Sequence, residues 1–196
     1  MGFHLVVGPL DGIDDPGADQ DSDWHEYAVE MFEVVNEYLV SQGLPPHTEP
    51  RSSGGPLYLG YGQPLAELLE LDVILPEDLL VTFDQVLAAS LDSLFIPVDL
   101  PKPVFLEADG AGFTLGSVPR LLFQSAWLQR LVGAPNIYNL KVAADLYGAL
   151  LDEPLAGFPQ ELPLMEGGGT AGAVLSDTLC CAAIVAYQSD SSIRIG

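Results

Sequence analysis

Lysine and arginine are what this sequence most lacks. Only 6 of its 196 residues are Lys or Arg, against 28 Asp or Glu, so the formal net charge at pH 7 is -22. Charged residues as a whole make up 17% of the chain, which is below the roughly 25% of an average globular protein. The imbalance is therefore a shortage of bases rather than a coat of added acids, which argues against salt adaptation.

The shortage of bases is concentrated in the first half of the chain. Residues 1–99 hold 19 acids and the single base Arg51, a net of -18, whereas residues 100–196 hold 9 acids and 5 bases, a net of -4. A field of this sign repels nucleic acid and anionic lipid, and it speeds association with basic partners. The composition therefore argues against nucleic-acid and membrane binding and predicts a basic protein partner.

Cysteine is also scarce, and both copies are adjacent at Cys180 and Cys181. A disulfide between neighbours would form a strained ring, so we expect two reduced thiols buried in the apolar face of a helix. No base lies near them in the sequence to lower a thiol pKa, which argues against a catalytic thiol. The chain also lacks a basic, signal-like N-terminal region and any apolar run of about 20 residues, which predicts a cytoplasmic protein without a membrane span.

Apolar residues, in contrast, make up 48% of the chain, which is enough for a core without metals or disulfides. At this length one domain is expected. Periodicity predicts an α+β fold in which five or six helices cover a small antiparallel or mixed sheet. The predicted strands are residues 3–7, 104–106, 113–115 and 193–195. The Ala-Asp-Gly-Ala-Gly segment at 108–112 is a turn signal and predicts a β-hairpin between the second and third of them. The predicted helices are at about 24–42, 64–71, 76–94, 118–132, 136–151 and 172–188.

The helix at 24–42 carries the first candidate site. Its apolar residues repeat at spacings of three and four, which predicts a core-facing stripe. Four acids form a second stripe at spacings of 4, 3 and 4, and no Lys or Arg is interleaved with them. Like charges at these spacings cost stability. We interpret the stripe as a partner-binding face, with an ordinary solvated surface as the alternative. Its residues are Glu26, Glu30, Glu33 and Glu37.

Residues 43–64 are rich in Pro, Gly and Ser, which predicts a long surface loop. Loops of this length inside a compact domain often carry function. Tyr58 and Tyr61 fall in a glycine-containing part of it. Tyr is enriched among residues that dominate binding energy, so both are predicted interface anchors.

An acidic cluster just before the first helix is a candidate metal site. Asp19, Asp21, Asp23 and Glu30 have the spacing of positions 1, 3, 5 and 12 of a calcium loop. Trp24, however, stands where that loop needs glycine, and no helix precedes it. We therefore expect no cofactor and interpret the cluster as a solvated loop with a helix cap; calcium, or zinc held by His25 and these carboxylates, is the alternative.

Glycines 167, 169 and 172 spell a nucleotide-binding G-x-G-x-x-G pattern. The pattern needs a strand before it and a βαβ unit around it. The preceding residues make a poor strand, and only 24 residues follow Gly172. We therefore expect no nucleotide cofactor.

The sequence supports three classes of function. The first is a non-enzymatic module that captures a basic protein. In composition, though in no motif, the chain resembles the immunity proteins that neutralise bacterial toxins, which are commonly small, acidic and cytosolic. The second is a metal-dependent hydrolase that uses Asp19, Asp21, Asp23 and His25, because assembled carboxylate sites leave no local signature. The third is a structural subunit of a homo-oligomer, such as a homodimer.

Overall fold

The computed structural model of the chain describes residues 3–9, 23–50, 57–61, 83–89, 92–131, 139, 141–143, 145 and 170–196. The described strands are β1 (Phe3–Val7), β2 (Leu57–Tyr61), β3 (Ser93–Ile96), β4 (Val104–Ala108), β5 (Ala111–Ser117) and β6 (Ile193–Ile195). They form one sheet in the order β2-β1-β6-β3-β5-β4. β3 and β5 are parallel and every other adjacent pair is antiparallel. The expected mixed sheet of an α+β fold is confirmed.

Two of the six strands contradict the predicted elements. β3 occupies residues that were predicted to end the helix at 76–94, and β2 occupies residues that were predicted to be a surface loop. All four residues of β3 are buried, so the strand lacks the polar alternation by which a half-exposed strand is recognised. β2 pairs with β1 in register from Phe3 opposite Tyr61 to Val7 opposite Leu57.

The described helices are α1 (Asp23–Ser41), α2 (Asp84–Ala88), α3 (Val118–Leu131) and α4 (Thr170–Ser189). α1, α3 and α4 agree with predicted helices to within two residues. Residues 139, 141–143 and 145 are helical too and fall inside the predicted helix at 136–151. The predicted helix at 64–71 lies outside the described residues, so the total of five or six helices stays a prediction.

The helices cover both faces of the sheet. Successive side chains of a strand point to opposite faces, so Leu94 and Ile96 pack with α1 while Phe95 packs with α3 and α4. On the α1 side, the side chains of Met31, Val35 and Leu39 are fully buried. Because α1 covers one face and α2, α3 and α4 the other, the sheet is the middle layer of three.

The turn between β4 and β5 fixes how the sheet ends on one side. Asp109 and Gly110 both have positive φ, at 47° and 73°, as a two-residue type I′ hairpin turn requires. The hairpin that the Ala-Asp-Gly segment predicts is confirmed, with Ala108 opposite Ala111. β4 has no neighbour on its other side among the described strands, so it is an edge of the sheet.

Candidate functional site

The acidic stripe lies on the side of α1 opposite the buried stripe. At about 100° per residue, the four acids fall within an arc of about 60° whose centre is about 170° from that of the buried residues Ala28, Met31, Val35 and Leu39. Glu33 and Glu37 are exposed and Glu30 is half-buried. The side chain of Glu26 lies outside the described residues. The helix predicted for these positions is confirmed, and the use of the stripe in binding stays a prediction.

Glu30 joins the stripe to the β4–β5 hairpin. One of its carboxylate oxygens, Oε1, accepts a hydrogen bond from the backbone N–H of Asp109 at 2.9 Å. This contact gives the N–H of Asp109, a turn residue with positive φ, a hydrogen-bond acceptor. It also shows that Glu30 borders the β4 side of the sheet.

The hairpin adds two exposed acids to the stripe. Glu107 is exposed in β4 and Asp109 is exposed in the turn. The sequence analysis did not identify either residue, because 79 positions separate Asp109 from Glu30. We use the name "acidic face" for Glu30, Glu33, Glu37, Glu107 and Asp109.

Within the described ranges, no Lys or Arg forms an ion pair with any residue of the acidic face. Two arginines of the described ranges do form ion pairs, but each pairs with a carboxylate that flanks β3. Arg120 of α3 donates from Nε and from a terminal nitrogen to Asp99, at 2.5 and 3.2 Å. Arg194 of β6 pairs with Asp92. The carboxylates of the acidic face therefore have no Lys or Arg partner among the described residues, as is also true of Asp84, Asp145, Asp177 and Asp190.

The two predicted tyrosine anchors lie far from the acidic face. Tyr58 and Tyr61 belong to β2, where they pair with Val6 and Phe3, so the prediction of a loop was wrong. β2 is the edge opposite β4, and five strand spacings separate these edges by about 24 Å. The side chains of both tyrosines lie outside the described residues. The structure therefore does not bring them together with the glutamate stripe.

The calcium-loop pattern falls mostly outside the described residues. Asp19 and Asp21 lie there completely, and Asp23 and His25 are placed only as backbone in the first turn of α1. Glu30, the fourth predicted ligand, accepts the Asp109 N–H described above. In the ranges that the structure describes, no three His, Cys, Asp or Glu side chains are grouped closely enough to hold a metal ion. Of the nucleotide pattern, Gly167 and Gly169 lie outside the described residues and Gly172 lies in α4.

A buried pair formed by His47 and Glu49 fixes the segment after α1. His47 Nε2 lies 2.9 Å from Glu49 Oε2, and each side chain is only 4% exposed. Both oxygens of Glu49 accept from the N–H of Ser192, and Asn36 exchanges two hydrogen bonds with the backbone of His47. The imidazole faces the ring of Phe32 at a centroid distance of 6.0 Å. A pair this enclosed is out of reach of a substrate, and it connects α1 to the start of β6.

The cysteines differ from each other. Cys180 is buried, and burial raises the pKa of its thiol to about 12. Cys181 is exposed, so the prediction that both thiols are inaccessible was wrong for this residue. The pKa of Cys181 is raised as well, by partial burial first and by Asp177 second. Neither thiol has the lowered pKa of a catalytic nucleophile.

None of the described helices is both long and apolar enough to cross a membrane. Comparison with models of known protein families, with curated proteins and with solved structures finds no match.

Proposed function

We propose that this chain is a non-enzymatic module whose acidic face captures a basic protein. The observation that carries the proposal is the absence of ion pairs to the face among the described residues, although Asp92 and Asp99 do have Arg partners. Its five carboxylates come from α1 and from the β4–β5 hairpin, with Glu107 on the sheet face opposite α1, and the carboxylate of Glu30 is fixed by its hydrogen bond to the Asp109 N–H. Carboxylates without a basic neighbour create a field that accelerates encounter with a cation-rich partner.

The compositional resemblance to toxin-neutralising immunity proteins suggests one identity for the partner, a basic bacterial toxin. Such a partner would be recognised by its Lys and Arg side chains. Electrostatic complementarity acts mainly on the association rate and on choice of partner. The proposal therefore predicts fast, salt-sensitive binding. Tyr58 and Tyr61 stay predicted anchors, at the opposite edge of the sheet.

The test first requires the partner to be isolated. A photoreactive amino acid at position 33 would cross-link the bound protein in an extract of the source cells. The same group at Val185, an exposed residue of α4 on the other side of the sheet, serves as the control. A basic protein that cross-links only from position 33 is then purified for rate measurements.

The decisive measurement is the association rate of that purified protein. Glu33→Lys should slow association by about threefold to tenfold at low salt, and the difference should vanish as salt screens the charges. Asp145→Lys makes the same change in net charge on an exposed helical residue two positions after Ala143, which packs in the core on the α3–α4 side of the sheet, and it should have a smaller effect. Equal rates for the two variants would mean that net charge alone matters and that the face is not the binding site.

A further inference from the structure

The β4 edge lies beside the acidic face and has backbone hydrogen-bonding groups that no described residue uses. In a type I′ turn the residues that flank the two central positions form a hydrogen-bonded pair, here Ala108 and Ala111. Hydrogen-bonded and non-hydrogen-bonded pairs alternate along an antiparallel ladder. Glu107 opposite Gly112 and Phe105 opposite Thr114 are therefore non-hydrogen-bonded pairs. Their backbone N–H and C=O groups point away from β5.

These outward groups have no partner in the part of the chain that the structure describes. β4 pairs only with β5 there, and the other backbone hydrogen bonds of the described loops, turns and caps do not involve Phe105 or Glu107. Two residues thus offer two donors and two acceptors in the spacing of a strand. Such an edge is a ready template for another extended chain.

The side chains of the same two residues form an open surface. Leu106 and Ala108 point toward α1, whereas Phe105 and Glu107 point to the opposite face. Phe105 is 65% exposed. Its ring lies over Gly112 so closely that a Cβ atom there would collide with it. The neighbouring strand thereby supports the aromatic ring in an orientation that leaves most of it open to a partner.

We infer that the partner binds by adding an extended, basic segment to the free edge of β4. This inference rests on the proposed function, and it specifies how the basic partner is held. Alternate side chains of an added strand face opposite sides of the sheet. One set would face the α1 side of the sheet, where Glu30 reaches the β4–β5 turn, and the other would meet Phe105 and Glu107. The segment therefore carries Lys or Arg on its α1 side. On its other side it carries an apolar residue opposite Phe105 and, two positions away, a base opposite Glu107.

A second copy of this chain fits the edge less well than a basic segment does. Pairing β4 with β4 would bring two copies of Glu107 and Asp109 together, on molecules that each have a formal net charge of -22. Like charges at close range oppose such a contact. An added strand gains affinity from main-chain hydrogen bonds and specificity from alternate side chains, and here the specificity is for positive charge.

The first test uses a synthetic acetylated decapeptide with Lys at every second position for the α1 side, and with Thr, Val, Phe and one further Lys, two positions from the Phe, on the other side. Glu107→Gln removes a charge and keeps the outward N–H, so it should weaken binding by about twofold to fivefold, the range of one exposed ion pair. Glu107→Pro removes the same charge and also the outward N–H, and proline is tolerated at an edge position that faces solvent. It should weaken binding by at least a further fivefold, which corresponds to about one lost hydrogen bond.

A second measurement keeps the test independent of the folding of the proline variant. The same peptide, N-methylated at alternate amides, retains every charge and loses its ability to pair. It should bind the wild-type chain at least about tenfold more weakly. Hydrogen exchange should show new protection of the amides of Phe105 and Glu107 when the unmodified peptide binds.

Three results would overturn strand addition. Equal binding of the two peptides would leave charge capture intact and exclude pairing at the edge. A wild-type dimer that Glu107→Pro dissolves would assign the edge to a second copy. No binding of the unmodified peptide at low salt would remove the proposal as well. The rates measured for Glu33→Lys judge the proposed function separately, since that substitution leaves the β4 edge unchanged.

Discussion

The carboxylates around β3 and those of the acidic face have the same chemistry and opposite surroundings. Asp92 and Asp99 flank β3 and are paired with Arg194 and Arg120. The glutamates of α1 have neighbours of their own sign at spacings of three and four. The first group has charge partners inside the fold and can stabilise it, whereas the second group costs stability in the free protein. With only 6 bases in the chain, the placement of each base is informative.

Arg194 is the sharpest case of a base used inside the fold. It lies in the sheet opposite Val6 and Leu94 and is 6% exposed. Its Nη1 donates to the carbonyl oxygens of Ser93 and Ile195 at 3.3 and 3.0 Å. Its guanidinium carbon lies 5.9 Å from the ring centroid of Tyr27. Burial lowers the pKa of Arg194, which reflects the cost of desolvating a charge.

The largest expected effect comes from removing this base. Arg194→Met should lower the free energy of unfolding by about 2–3 kcal/mol, because two buried carbonyls lose a donor and a carboxylate loses its partner. The matched variant is Arg120→Met, whose partner Asp99 has a side chain that is 34% exposed. Water can replace that pair, so its loss should cost about 1 kcal/mol. Urea unfolding measures both, and equal costs would contradict the ranking by burial.

Asp84 differs from both groups of carboxylates. It is partly buried in the fold, and among the described contacts it has a hydrogen bond but no ion pair. Its Oδ1 accepts from Gln124 Nε2 at 2.8 Å. Gln124 Oε1 in turn accepts from the backbone N–H of Gln85 and of Val86. Burial is the largest influence and raises the pKa of Asp84, while the Gln124 hydrogen bond opposes it. Folding therefore shifts the protonation equilibrium of Asp84 toward its neutral form, relative to the unfolded chain.

This direction fixes the sign of a pH effect. A carboxyl group whose folded pKa is raised binds its proton more tightly when folded, so stability from this group falls as pH rises above the ordinary value near 3.8. The loss is complete once pH passes the raised folded pKa. Asp84→Asn keeps an oxygen for Gln124 and should remove this contribution. Unfolding curves across that acidic range should show a smaller fall with rising pH for the variant than for the wild type, and identical slopes would contradict the assignment.

Much of the fold could be predicted because its elements carry local signals. α1 and α4 show apolar repeats of helical period, and β4 and β5 flank an Ala-Asp-Gly turn. β3 could not be predicted because burial on both faces removes the alternation that marks a strand. The difference in burial between Cys180 and Cys181 could have been predicted from the sequence, because adjacent side chains on a helix point about 100° apart and only one of them can face the core.

The candidate site could be predicted only as far as it lies on one element. The glutamate stripe follows from the period of α1. Its union with Glu107 and Asp109 depends on a tertiary hydrogen bond across 79 positions, for which no local pattern exists. The open side of β4 depends on the strand order of the sheet, which is equally non-local.

The smallest expected effect has the opposite sign to that of Arg194. Glu33 has Glu30 three positions before it and Glu37 four positions after it. Each like-charge pair costs on the order of 0.2–0.5 kcal/mol, and an opposite-charge pair contributes a similar amount. The two repulsions removed and the two attractions added sum to about 0.8–2 kcal/mol, and because the pairs are exposed Glu33→Lys should raise the free energy of unfolding of the free chain by about 1 kcal/mol, near the lower end, while it slows capture of the partner.

Glu33→Gln is the matched control for that stability effect, because it removes the repulsion without adding an attraction and should give about half the gain. Glu33 is the better choice than Glu30, whose carboxylate also holds the Asp109 N–H. Urea unfolding at low and high salt provides the measurement, and the gain should shrink as salt screens it. A variant that is less stable than the wild type at low salt would mean that the stripe stabilises the free protein. The acidic face would then have a structural reason to exist, and the contrast with the paired carboxylates of β3 would disappear.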